Sequence, residues 1–312
     1  MGKQVESVAA LIPTRNRPKE LAVLLKSITE SSILPKQVVI VASGIDVAPI
    51  LHAFSQVLQI TYRHTEQRGQ IAQKRIGMEL VWNDIEWCLF LDDDLVLEES
   101  AIELALNTVK LYGEEKVLGV GFNLPPTSRT LELSQRKQKL LEVLKLTSRH
   151  PGRVLSSGHA VSYLQENKVL ETQWLNGASM WKTAHARSYG LNLPSTPYAA
   201  CEDLIFSYPL SKLGRLLYAP QAIINFQDNE TSNFDSFEVL RAASLWRYYF
   251  VTSHKELSFK RFMWSQIFRS IYAINREKDE KKRLFILLLI LNLRIIKSKM
   301  QRVPPATLLN EL

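Results

Sequence analysis

Short apolar runs alternate with amphipathic helical stretches through the first 122 residues, and this alternation leaves very few folds open. The apolar runs are "VAALIP" (8–13), "QVVIVAS" (37–43), "QITYRH" (59–64), "WCLFL" (87–91) and "VLGVGF" (117–122). Between them lie a helical stretch opened by Pro18 (18–31), another with apolar positions at Ile71, Ile76, Leu80 and Val81 (69–82), and a third over 99–112. Strands alternating with helices predict an α/β fold, a mostly parallel sheet sandwiched by helices. In such sheets ligands bind beyond the carboxyl ends of the strands. "PTRNR", "ASGID" and "DDD" all fall there.

The second half is less regular. Residues 131–147 carry a basic helical pattern, and the turn-rich "HPGRVLSSG" (150–158) predicts a mobile loop. Residues 235–300 read as helical. The expected division is a catalytic domain over 1–230 and a basic helical region over 231–312.

Asp92, Asp93 and Asp94 follow the most apolar of the strands directly. A solvated turn accounts for some acidic residues at a strand end, because Asp also favours helix starts. Three adjacent carboxylates at the mouth of a buried strand are equally well explained by a divalent cation, which takes oxygen ligands. Spacing alone leaves both readings open. Cys88 and Cys201 are the only cysteines, too few for a disulfide framework, and the first residues lack a signal-like apolar stretch. A cytoplasmic protein is expected.

Further motifs stand in a fixed order: "IPTRNRP", "RGQIAQKRIG" opening a helix, "FLDDDL", "WLNGASMW" and "CEDLIFSYPLSKLG". This set, over 5–225, resembles the family-two inverting glycosyltransferases of the GT-A (Rossmann-like) fold. The resemblance implies transfer of a sugar from a nucleotide sugar to a hydroxyl of a glycan or lipid-linked acceptor, with Mn2+ or Mg2+ as cofactor. It points to bacterial-type surface polysaccharide synthesis. Asp94 would bind the metal. Asp92 would contact the ribose or sugar and help to hold the ion, and Asp93 would turn away as a cap or supporting partner. Asp203 would be the catalytic base, with Glu202 orienting it or the acceptor. Pro13, Thr14, Arg15, Asn16 and Arg17 form the nucleotide loop. Arg68 and Gly69 would meet base and phosphates, with Lys74 and Arg75 a turn onward, although Arg17, Lys74 and Arg75 also read as exposed helix charges. Asn176, Gly177 and Ala178 would lie against the sugar or diphosphate. Trp174 and Trp181 read as sugar-flanking or core aromatics.

Two positions depart from the family pattern. Ser43 stands where an Asp usually grips the base, with Asp46 three residues on, so UDP-, dTDP- and GDP-sugars all remain candidate donors. Asn225 or Gln227 stands where a metal-binding His is usual, and Asp228 or a water is the alternative ligand. A haloacid-dehalogenase-like phosphatase, with Asp92 as nucleophile and Asp94 as acid, is a competing reading of "DDD". A non-catalytic sugar-nucleotide-binding protein is another.

The net charge of +8 lies in one region. Residues 255–302 hold 13 Lys and Arg against 4 Asp and Glu, a balance of +9, leaving −1 elsewhere. The apolar stretch 284–293 rises only about 15 Å as a helix, half of a bilayer core of about 30 Å. With basic flanks and with Phe262, Trp264, Phe268, Ile271 and Tyr272 nearby, the region is expected on an anionic membrane surface. The alternatives are a hairpin packed in the core or an oligomer interface. Nucleic acid is not an expected partner, because no stacking platform accompanies the charge.

Overall fold

The apolar runs form strands whose two faces are both buried. The computed structural model describes residues 4–125, 135–144, 146–164, 166–190, 193–194, 196, 199–227, 237–274 and 279–312. In β1 (Gln4–Arg15), Val8, Ala10 and Ile12 point to one face of the sheet and Ala9 and Leu11 to the other. That is why the run reads as continuously apolar rather than alternating. Helix α1 (Pro18–Glu30) starts on its proline, where the missing N–H costs nothing. It lays Leu21, Leu24, Leu25 and Ile28 against the first face.

β2 (Ile33–Ser43), α2 (Ala48–Leu51), β3 (Ile60–Thr65), α3 (Gln70–Leu80) and β4 (Trp87–Phe90) follow. β3, β2, β1 and β4 lie side by side and run parallel. Cys88 is buried in β4 against Met78, as a small apolar residue. Then come β5 (Leu95–Leu97), α4 (Ala101–Tyr112), β6 (Val117–Asn123), α5 (Gln135–Val143), β7 (Leu170–Thr172), β8 (Ser179–Lys182), α6 (Thr183–Ala186), α7 (Glu202–Leu210) and β9 (Arg215–Phe226). β8 is inserted antiparallel between β4 and β6, and β9 runs parallel to β6. Both β5 and β7 pair antiparallel with β9. The sheet is therefore mixed beyond β4, which the strand–helix alternation of the first half does not reveal.

The chain closes with α8 (Phe237–Ser253), α9 (Phe259–Ile274), α10 (Asp279–Met300) and α11 (Pro305–Leu309). Two compact units result. The first holds 1–130, 163–195 and 206–229, and the second holds 131–162, 196–205 and 230–312. The last change from the first unit to the second falls between residues 229 and 230. The second unit also takes an internal stretch and the first turn of α7, because those segments pack on the C-terminal helices rather than on the sheet.

In the second unit, Trp246, Tyr248, Phe250, Phe262, Leu288, Leu291 and Ile295 are buried. Phe262 packs on Tyr248 and Phe259 and is fully enclosed, so it cannot serve as the membrane-interface residue expected of it. Trp264 and Phe268 do remain partly exposed and lie against each other. The side chain of Tyr272 lies outside the described residues. The turn-rich stretch forms a hydrogen-bonded turn: Val154 pairs with Ala160, Leu155 N–H donates to His159 O, and Gly158 N–H donates to Leu155 O. Among the described residues no helix is long and apolar enough to cross a membrane.

Candidate active site

The carboxyl ends of β1, β2 and β4 bring together most of the motif residues of the first unit. Thr14, at the end of β1, is buried and donates its hydroxyl to Asp93 Oδ2 at 2.7 Å. Arg17 donates to Asp93 Oδ1 at 3.0 Å and to Asp94 Oδ2 at 2.9 Å. Asp93 is thus a buried brace between the β1 and β4 ends. Burial pushes its carboxyl above the usual range, while Thr14 and Arg17 pull it down. Partial burial opposes the charge on Arg17, which is half exposed, but the two carboxylates together outweigh it and raise its pKa.

Asp92 and Asp94 keep 39% and 32% of their side chains exposed. Even so, protein crowds the Asp92 carboxyl, and that desolvation raises its pKa, opposed by Lys74 and reinforced by the Asp94 charge. Gln70 donates its amide to Asp92 Oδ1. Lys74 is not the exposed helix charge that its position allowed. It is fully buried, with Nζ 4.0 Å from Asp92 Oδ1 and 5.4 Å from the ring centres of both Phe90 and Tyr189. An ammonium over aromatic faces beneath a carboxylate is well placed to balance negative charge at the site floor.

Two glutamines hold this edge in shape. Gln73 Nε2 donates to Thr14 O and Val41 O, both at 2.8 Å, tying β1 to β2. Gln227 Nε2 donates to Leu95 O at 3.1 Å, Asp93 O at 3.3 Å and Glu20 O at 2.9 Å, and its N–H donates to Asp94 O at 2.8 Å. Its amide is therefore spent on the acidic turn. Asn225, the other candidate at the expected His position, donates to Glu98 Oε1. Asp228 lies outside the described residues. Gln70, Gln73 and Lys74 share one face of α3 at helical spacing, which was the available sequence signal.

Asn16 stands at φ 58 and accepts from Ile45 N–H at 3.0 Å, linking the β1 and β2 exits. Gly44, at φ 81, is required there, because a Cβ would collide with the Asn16 side chain. Ser43 is buried, and its hydroxyl has no hydrogen-bond partner among the described residues. Asp46 accepts from Tyr62 OH at 2.6 Å and from Ala48 N–H, bonds that lower its pKa. Pro13 is buried, while Arg15 and Arg68 are exposed, Arg75 half-buried, and Gly69 opens α3 at φ 101.

Asn176 donates to Phe122 O at 3.0 Å, and Ala178 O accepts from Phe122 N–H, so both are buried against β6, with Gly177 between them partly open. Trp181 is a core residue packed edge-on against Phe206, and Trp174 rests on Tyr163. In the second unit Glu202 is buried and Asp203 partly exposed, at the first turn of α7. Cys201, immediately before them, holds φ 63.

The glycosyl transferase family 2 model matches residues 9–166, half of the chain and every element that carries the acidic turn. The chain belongs to this family. It is a glycosyltransferase. Its acidic turn follows β4, whereas the phosphatase reading needs it on the first strand. No curated protein sequence matches the chain. Among solved structures, Staphylococcus aureus TarS 1–349 in complex with UDP-GlcNAc is 14% identical with a TM-score of 0.59, over 93% of this chain and 81% of that one. The mannosyltransferase PcManGT from Pyrobaculum calidifontis, in complex with GDP-Man and Mn2+, is 13% identical with a TM-score of 0.54, over 95% and 86%. GalNAc-T7 with UDP, GalNAc and Mn2+ is 10% identical with a TM-score of 0.53, over 96% and 58%. Identities this low carry the GT-A fold alone.

Proposed function

We propose that this glycosyltransferase moves a sugar, with inversion, from a nucleoside diphosphate sugar to a hydroxyl of a glycan or lipid-linked acceptor in surface polysaccharide synthesis. The observation that carries the proposal is the Asp92–Asp94 turn at the end of β4, rimmed by Gln70, Lys74 and Arg17. Nucleotide-sugar and nucleotide complexes of TarS, PcManGT and GalNAc-T7 support the donor class.

Asp92 and Asp94 offer hard carboxylate oxygens on one turn, each partly open to solvent. That donor set fits Mn2+ or Mg2+ with waters or phosphate oxygens in the remaining positions. Among the described residues no third His, Cys, Asp or Glu joins them. A bound ion would offset charge on the diphosphate leaving group. Arg17 and Lys74 contribute fixed positive charge to the same turn, and Pro13, Thr14, Arg15, Ser43, Arg68 and Gly69 line the nucleotide end. Asn176, Gly177 and Ala178 hold the strand edge on the sugar side. Asp203 takes the proton of the acceptor hydroxyl, and Glu202 orients it. UDP, dTDP and GDP are the candidate nucleotides, because Ser43 replaces the residue that would choose among them.

Incubation with radiolabelled UDP-, dTDP- and GDP-sugars and manganese tests this, with product configuration read by NMR. Transfer with an inverted anomeric centre is the expected result. Retained configuration rules out inversion, phosphate release from simple esters favours the phosphatase, and binding without turnover favours the non-catalytic reading.

The 255–302 region is proposed to hold the enzyme peripherally on the inner face of a membrane. On α10, Ile286, Leu287, Ile290 and Leu293 are exposed while Leu288, Leu291 and Ile295 face inward. Arg283, Arg294, Lys297 and Lys299 are exposed on the same helix. Each such cation contributes about 1 kcal/mol near an anionic surface, so attachment should be reversible and salt-sensitive. Co-sedimentation with anionic vesicles at low salt is expected. Failure to sediment leaves the apolar face to an oligomer interface.

A further inference from the structure

The first unit carries a second recess that none of the acidic-turn residues lines. It is a cleft of about 520 Å³ between α4, the 167–169 segment and β9. That volume lies within the range of about 300–1,000 Å³ usual for small-ligand sites. Its floor is firmly held. Leu104, Tyr112 and Val169 line it and pack on the core of the sheet. Arg215 lies over the Tyr112 ring at 5.3 Å and donates to Tyr112 O at 3.1 Å. Arg215 is itself fixed by donating from Nε to Glu171 Oε2 at 2.9 Å.

β9 meets this cleft in a bulge. Phe122 pairs with Ala219, but the next residue of β6, Asn123, pairs with Ile223. Pro220, Gln221 and Ala222 therefore leave the ladder, and Asn123 Nδ2 holds them by donating to Pro220 O at 2.9 Å. A proline has no ladder donor to lose at such a place. Bulges re-aim side chains, and this one brings Pro220 and Gln221 to the cleft wall. Asn107 and Asn167 line the cleft as well. The amide side chains of Asn107, Asn167 and Gln221 are exposed, and none is hydrogen-bonded to another described residue. No carboxylate stands among the lining residues, and Lys168 is the one charged side chain there.

We propose that this cleft binds a segment of an oligosaccharide, away from the reacting sugar. Calling that oligosaccharide the acceptor rests on the proposed transfer to a glycan. Sugar hydroxyls both donate and accept, as side-chain amides do, so three free amides suit them without burying a charge. Sugar rings also present C–H faces, which Leu111, Pro220 and Tyr112 can cover. A phosphate group would call for more than one cation, and a metal ion for carboxylates. Phe226, five residues beyond Gln221 on β9, pairs with Leu95, which directly follows the acidic turn. Five strand residues cover about 17 Å at about 3.3 Å each. An oligosaccharide of several rings is long enough to reach from the cleft to that turn.

The test is binding of the intact protein to an array of defined bacterial oligosaccharides, with chelator present and no nucleotide, followed by calorimetry with the best-retained member. Wild type should retain at least one oligosaccharide and bind its component monosaccharides far more weakly. Asn107→Leu on α4 and Gln221→Leu on β9 should each weaken binding at least about fivefold, the scale of lost neutral hydrogen bonds, and Asn107→Gln should keep part of it. Because both side chains are exposed and unbonded within the protein, neither leucine variant should lower Tm. The proposal is overturned if no oligosaccharide is retained, if both leucine variants bind as wild type does, or if their Tm falls markedly, which would give the amides to the fold. It is also overturned if Asp203→Asn abolishes binding while the cleft variants keep it, since the sugar then sits at the catalytic carboxylates. The assay involves no turnover, so it can fail while sugar transfer is observed, and the reverse.

Discussion

Charge is handled in opposite ways in the two units. At the end of β4, two cations already face carboxylates: Arg17 faces Asp93 and Asp94, and Lys74 faces Asp92. Around α8 and α9, the buried His159 is held neutral beside Ser265 and Gln266, and Arg247 Nη2 meets Cys201 Sγ rather than a carboxylate. The first arrangement is assembled before any ligand arrives, so its geometry is preorganised. The second keeps a buried histidine neutral by desolvation, so its stability should depend on pH.

The largest effects should come from the acidic groups assigned to chemistry. Asp203→Asn should reduce transfer by at least about a hundredfold, the scale of a positioned general base, with donor binding nearly unchanged. Loss of donor affinity instead, seen by calorimetry, would move the base elsewhere. Asp94→Ala should abolish manganese-dependent donor binding while the circular dichroism spectrum stays native. Persistent binding after chelation would remove Asp94 from the metal site.

The next effect is a pH dependence in the second unit. Burial, with Arg247 and Arg269, holds the His159 pKa well below its ordinary value of 6.5. Below that value the unfolded chain binds a proton that the folded chain refuses. Stability therefore falls as the solution is acidified, by up to about 1.4 kcal/mol per pH unit from this group. Urea unfolding at pH 7.5 and 5.5 should show a smaller acid loss in His159→Gln than in wild type. Equal slopes in wild type and variant would remove His159 from the account.

The smallest effect sharpens the contrast most directly. Arg17→Gln should destabilise by no more than about 1 kcal/mol, because the Arg17 side chain is half exposed and Thr14 still holds Asp93. A loss several times larger in urea unfolding would mean that Arg17, rather than Thr14, holds the brace.

Much of the first unit is legible in the order of its residues alone. Val8 to Ile12 read as a strand because both faces of β1 are buried, and Pro18 marks the start of α1 because that position needs no N–H donor. Asp93 reads as a brace because neighbouring residues at a strand end point apart. Lys74 does not read as buried, since its neighbours Gln73 and Arg75 give α3 a polar face, and only packing against Phe90 and Tyr189 encloses it. β8 is not legible as an antiparallel insertion, because its partners β4 and β6 are set by contacts far away in sequence.

By itself the sequence determined the strand–helix alternation, the family, and the placement of three carboxylates after a buried strand. Those are local matters, written in the spacing of apolar residues along single elements. The tertiary structure alone decided that Phe262 is enclosed, that Gln73 and Gln227 brace the acidic turn, and that His159 meets Ser265 and Gln266. Each of those depends on which faces of distant segments pack together, and residue spacing along one element carries no record of its neighbour.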